Sequence, residues 1–162
     1  MRRSSPTHAP HTRLDAPAAP PAAGPRRGLD ATPDLGLEAD KPAPKRRALV
    51  VDDAPDVTEL LAMVLRYAGY DVVAVFSAPD ALETARAEQF DVIVSDIGMP
   101  GMNGYELAAA LRGLPEYASV PLIAVTGFAM YDDRDRALAS GFNAFLTKPI
   151  NPSDLVELVG RV

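Results

Sequence analysis

The sequence predicts a doubly wound three-layer α/β sandwich built on a five-stranded parallel sheet. Short apolar runs rich in β-branched residues recur five times, around 46–51, 71–76, 92–94, 120–125 and 144–146, and a helical pattern follows each. The loops between them are short and rich in Gly, Pro and Asp, which suits parallel strands joined by right-handed crossovers. A hydrophobic content of 48% over 162 residues supplies one core of ordinary size, plus a tail.

Taken in order, the first strand ends in Asp52 and Asp53, and Pro55 opens a helix because proline suits the first helical turn. Val57, Leu60, Leu61, Val64 and Leu65 recur at helical spacing and are expected to face the core, until Gly69 stops the helix. Asp71 to Phe76 is the second strand. Ser77, with Asp80 three residues on, caps a helix running to about Glu88. Val92 to Val94 is an unbroken β-branched run, the mark of a strand buried on both faces, and it delivers Asp96 into a loop of Gly and Pro. A helix from Tyr105 to Arg112, a strand from Val120 ending at Thr126-Gly127 and a helix from Asp132 to Ser140 follow. Ala144 to Leu146 is a short fifth strand, and Pro152 to Arg161 a last helix capped by Asn151 or Ser153.

Charge and composition divide the chain. Residues 1–45 hold 9 of the 16 prolines and no aromatic residue, and they are expected to be a disordered Pro/Ala-rich basic tail that serves as a spacer or short recognition segment. Up to Arg47 the chain has 9 Lys/Arg against 5 Asp/Glu, and the remainder has 7 against 17. Residues 46–162 are therefore an acidic domain, ill suited to direct contact with nucleic acid. No apolar run approaches the roughly 18 residues of a membrane span, and no export signal is recognisable, so no membrane is expected and the cytoplasm is the expected location. The absence of cysteine excludes disulfides and thiolate metal sites.

In a doubly wound sheet the ends of the first and third strands flank the point where ligands bind, which brings Asp52, Asp53 and Asp96 to one edge. At about 4 Å and an effective dielectric of about 20, each pair of like charges costs roughly 4 kcal/mol, so a proton or a cation must sit between them. An Asp pair alone would read as helix capping. With Asp96 added, the oxygen-only set points to a hard divalent ion, Mg²⁺, with Mn²⁺ the alternative. Lys148, at the rim of this pocket, supplies a cation for an incoming phosphoryl oxygen, and its bond to Pro149 can be cis. Thr126 supplies a hydroxyl.

These residues resemble the receiver domain of two-component response regulators, over residues 46–162. The resemblance implies the flavodoxin/CheY-like strand order 2-1-3-4-5. It implies that Asp52 and Asp53 are the acidic metal pair and Asp96 the phosphoacceptor, with the Gly98 carbonyl a further metal ligand. Thr126 and Lys148 take the hydroxyl and lysine positions, and Thr126 with Phe145 would form the switch. The chain departs from the family pattern at Gly98 and Phe128, two residues beyond Asp96 and Thr126, which bears on the rate of phosphoryl loss. The implied function is a single-domain response regulator, a phosphoacceptor switch rather than an enzyme, loaded by a histidine kinase or histidine phosphotransfer protein. Its output would pass to a downstream protein through the face of the fourth helix, fifth strand and fifth helix. Alternatives are a receiver module derived from a hybrid histidine kinase and acting as a phosphate sink, and an aspartyl-phosphate phosphohydrolase. The latter would want a second acid where Gly98 stands.

Overall fold

Five parallel strands, β1 (Arg47–Val51), β2 (Asp71–Val75), β3 (Val92–Asp96), β4 (Leu122–Thr126) and β5 (Ala144–Thr147), form one sheet in the order β2-β1-β3-β4-β5. The helices are α1 (Pro55–Tyr67), α2 (Ala78–Ala87), α3 (Gly104–Arg112), α4 (Tyr131–Ser140) and α5 (Pro152–Arg161). The structure is a computed structural model that describes residues 42–127 and 131–162. The expected tail up to residue 41 and the departure at Phe128 lie outside the described residues.

The alternation of strand side chains divides the core into two halves. Leu49, Ile93 and Leu122 join Leu107, Leu111 and Tyr117 on the α2/α3/α4 side. Val50, Val94 and Ile123 join Leu61, Leu65 and Leu155 on the α1/α5 side. All residues of β3 and β4 are buried, as expected for strands covered on both faces.

Local signals set the helix ends. The Ser77 hydroxyl accepts from the Asp80 N–H at 3.2 Å, and Asn151, not Ser153, caps α5. Asn103 and Glu106 form a reciprocal capping box on α3. Beyond α1, Gly69 adopts φ +97°, the left-handed turn that ends the helix.

The structure departs from the sequence reading in details. Leu60 is 41% exposed, and Thr58 takes the inward position instead, because the buried stripe runs through 58, 61, 62 and 65. A 3₁₀ turn at Pro115–Tyr117 interrupts the α3–β4 connection, and β4 starts two residues later than expected. Far from the Asp52 edge, Arg112 at the end of α3 donates to the carbonyls of Tyr117, Val120 and Gly141 and to Asn143 Oδ1, at 2.6–3.0 Å. Asn143 Oδ1 also accepts from the Leu122 N–H, so this fork fastens the starts of β4 and β5 together.

Candidate functional site

Three carboxylates meet at the C-terminal edge of the sheet, as the strand order requires. Asp52 directly follows β1 and is fully buried, Asp96 ends β3 at 5% exposure, and Asp53 is exposed. One oxygen from each lies within 4.8 Å of the others. The two buried groups differ in what holds them. Asp52 Oδ1 accepts from the Ala54 N–H at 2.9 Å, so the turn expected at this strand end does form, but Ala54 is the N-cap of α1 and no side chain caps that helix. Asp96 Oδ1 accepts from its neighbour's N–H, Ile97, at 2.9 Å.

Lys148, immediately after β5, reaches across β4 and β3 into this cluster. Its Nζ lies 2.9 Å from Asp52 Oδ2 and 3.4 Å from Asp96 Oδ1. The Lys148 N–H donates to the Thr126 carbonyl at 2.7 Å, and the peptide bond to Pro149 is cis. Burial, and then the charge of Asp52, push the Asp96 carboxyl above its ordinary value, while Lys148 and the Ile97 N–H pull it back. Burial alone would lower the Lys148 value, but its hydrogen bond to Asp52 and the charges of Asp96 and Asp52 outweigh that and hold it above the ordinary one. With both carboxyls and Asp53 ionised, one lysine leaves the cluster short of positive charge, and the donors are oxygen only. A hard divalent cation fits that set.

Thr126 ends β4 and is buried, with its backbone tied to Lys148. Phe145 on β5 is half-buried and packs against the α2/α3/α4 core. Gly98 is exposed in the loop after β3, with open space where a side chain would begin.

Two supporting residues escape a reading of the sequence. The Thr58 hydroxyl on α1, buried, sits 2.9 Å from the Asp52 carbonyl and 3.0 Å from that of Ala54, tying the helix to the acidic turn. The helical spacing 58, 61, 62, 65 is the signal for it. Gly104 opens α3, and a Cβ there would stand 2.4 Å from the Asp96 carbonyl oxygen and 2.7 Å from Ile97 Cα. Only glycine lets the helix approach that closely. No local pattern announces this contact, since it is made across a loop.

This sheet order, with an acidic cluster and a lysine at the switch point, defines the class of α/β phosphoacceptor proteins. The family model for the response regulator receiver domain matches residues 48–160, and the chain belongs to that family, in two-component signal transduction. It is 44% identical over 111 residues to an uncharacterized 14.6 kDa protein in the sodA1 3' region of Leptolyngbya boryana, covering 68% of this chain and 85% of that protein. Among other curated relatives it matches, sensor proteins and response regulators, the chain spans 10–49% of their length. The chemotaxis response regulator CheY4 of Vibrio cholerae superposes with a TM-score of 0.70 at 31% identity, over 73% of this chain and 98% of that one. The receiver domain of sensor histidine kinase PA1611 from Pseudomonas aeruginosa PAO1, with a magnesium ion coordinated in its active site cleft, gives 0.68 at 30% identity, over 73% and 97%.

Proposed function

We propose that this receiver takes a phosphoryl group onto Asp96 from a phosphohistidine of a histidine kinase or histidine phosphotransfer protein. The observation that carries this reading is the placement of the Asp96 carboxylate at the end of β3, 3.4 Å from the Lys148 ammonium and inside the cluster with Asp52 and Asp53. An Asp96 oxygen attacks phosphorus, the nitrogen–phosphorus bond of the donor breaks, and an acyl phosphate remains. Asp53, Asp96 and the Gly98 carbonyl would hold Mg²⁺, or Mn²⁺, with Asp52 acting mainly through water. A divalent ion there supplies neutralisation of the phosphoryl charge. Lys148 adds its own charge to a phosphoryl oxygen once it turns from Asp52. Thr126 then hydrogen-bonds the added group and Phe145 follows it inward, which alters the face formed by α4, β5 and α5 for a downstream protein. The same proposal assigns residues 46–162 to the receiver and residues 1–45 to a spacer, and places the protein in the cytoplasm.

Incubation with a labelled donor tests this directly. Wild type acquires a Mg²⁺-dependent, hydroxylamine-labile phosphoryl group, and Asp96→Asn does not. Labelling of Asp96→Asn at the wild-type rate refutes the assignment. The likeness to the receiver of a sensor histidine kinase favours a second reading, a phosphate sink derived from a hybrid kinase. Return of the label from Asp96 to the kinase, with no effect on any other protein, identifies that role.

A further inference from the structure

Tyrosines aside, the described residues bury five polar side chains: Asp52, Asp96 and Thr126 of the candidate site, and Thr58 and Ser95, which take no part in its chemistry. Each of the two spare hydroxyls meets the main chain of a buried aspartate. Ser95 Oγ donates to the Asp96 carbonyl and Thr58 Oγ1 to the Asp52 carbonyl, both at 2.9 Å. A buried hydroxyl on the core face of a helix breaks the apolar pattern, and such breaks collect at functional sites.

The two peptides differ in what else holds them. The Asp96–Ile97 peptide is also fixed through its N–H, which lies 2.9 Å from Asp96 Oδ1 and 3.2 Å from the Val125 carbonyl. The Asp53 N–H meets no acceptor among the described residues, so the Asp52–Asp53 peptide is held through its carbonyl, by Thr58. The Thr58 hydroxyl also lies 3.0 Å from the Ala54 carbonyl, but that oxygen already accepts the N–H of Thr58 at 3.0 Å. A hydroxyl has one proton to give, and the Asp52 carbonyl is the acceptor that lacks another donor. The Asp52 N–H is anchored to the Val75 carbonyl at 3.3 Å. Because the peptide unit is planar, fixing its oxygen fixes the rotation about the Asp52 Cα–C bond, and with it the direction in which Asp53 leaves the strand.

We propose that Thr58 is a positioning residue for the divalent cation: its hydroxyl holds the Asp52–Asp53 peptide so that the Asp53 carboxylate stays within reach of Asp96. This role rests on the cation site proposed above. The competing account is a hydroxyl that bonds back to the first turn of its own helix, as helical threonines commonly do, and leaves the ion alone.

Calorimetric titration of Mg²⁺ into the full chain, with a thermal melt of each variant, is the test. Thr58→Val keeps the shape of the side chain and leaves the Asp52 carbonyl without its donor; it is expected to bind Mg²⁺ about tenfold more weakly. Thr58→Ser returns the hydroxyl without the methyl group and is expected to bind within about threefold of wild type. Leu65→Val thins the same buried stripe about two turns further along α1; it should lower Tm and leave Mg²⁺ affinity within about twofold of wild type. If Thr58→Val is unfolded at the titration temperature, Thr58→Ala, which a helix favours, replaces it with the same expectation. A hydroxyl-free variant that binds Mg²⁺ within about twofold of wild type overturns the proposal. So does Thr58→Ser as weak as Thr58→Val, or Leu65→Val weakened as much. A wild type that binds no Mg²⁺ removes the cation site itself and this role with it, whereas each of the other adverse results leaves that site standing.

Discussion

Replacing Lys148 with methionine keeps the length of the side chain and removes the one charge among the described residues that meets both buried carboxylates. Asp52 is fully buried and loses its 2.9 Å partner, while Asp96 loses a contact of 3.4 Å. Breaking a buried pair by removing one member costs about 3–5 kcal/mol, because the survivor is left charged and uncompensated. The lysine is 26% exposed, and water screens part of its charge, so about 2–3 kcal/mol is expected at neutral pH. For a domain of this size that is a fall of about 8–15 °C in Tm. The deficit depends on acidity. Asp96 already holds its proton more tightly folded than unfolded, so its contribution to stability is present below the ordinary carboxylate value and is lost as pH rises through the raised one. Lys148 is among the influences that restrain that rise, so Lys148→Met lifts the value further and the penalty shrinks as pH falls through it. Saturating Mg²⁺ should restore more stability to the variant than it adds to wild type, since the ion then has more negative charge to neutralise. Thermal melts across pH, with and without Mg²⁺, measure all of this. A Tm within about 2 °C of wild type at neutral pH, or a deficit that grows on acidification, refutes the electrostatic account.

Three further substitutions separate the parts of the site. Asp53→Ala removes the exposed member of the cluster, so the metal-free protein should melt a few degrees higher while Mg²⁺ binding, followed by titration, disappears. Gly104→Ala forces a methyl group against the Asp96–Ile97 backbone at a cost of about 1–3 kcal/mol, and it should weaken Mg²⁺ binding. Gly113→Ala, where the nearest atom outside the adjoining residues is 3.3 Å away, should leave the metal untouched, and equal loss in both would deny Gly104 a role in placing Asp96. Thr126→Ala should still accept phosphate but show smaller amide-exchange changes over residues 134–150 when beryllofluoride is added; a wild-type response would remove Thr126 from the switch.

Much of this was readable from the residues. The β-branched run of β3 announces a strand buried on both faces, and strand order then brings Asp52, Asp53 and Asp96 together without any further information. Lys148 was legible as a cation at the rim, but not its pairing with Asp52, which depends on how far a flexible side chain reaches across two strands. Leu60 departs from the expected core position because hydrophobicity marks a candidate for the core, whereas burial is set by which arc of the helix meets the sheet. On α1 that arc is centred nearer Thr58 and Leu65. Gly104 was silent for another reason: its constraint is the space it leaves empty.

The Arg112 fork gives the domain a mechanical asymmetry. One guanidinium grips the carbonyl of Gly141, just past α4, along with the segments that lead into β4 and the side chain before β5. In the proposed switch that end would be a fulcrum, and the edge with Thr126 and Lys148 the end where load is applied. A lever clamped at one end converts a small push at the other into rotation rather than translation. Exchange changes provoked by beryllofluoride should therefore diminish along α4 towards Gly141. Arg112→Ala would free the fulcrum, and the same push would then dissipate as loose motion of β4 and β5 without turning the helix.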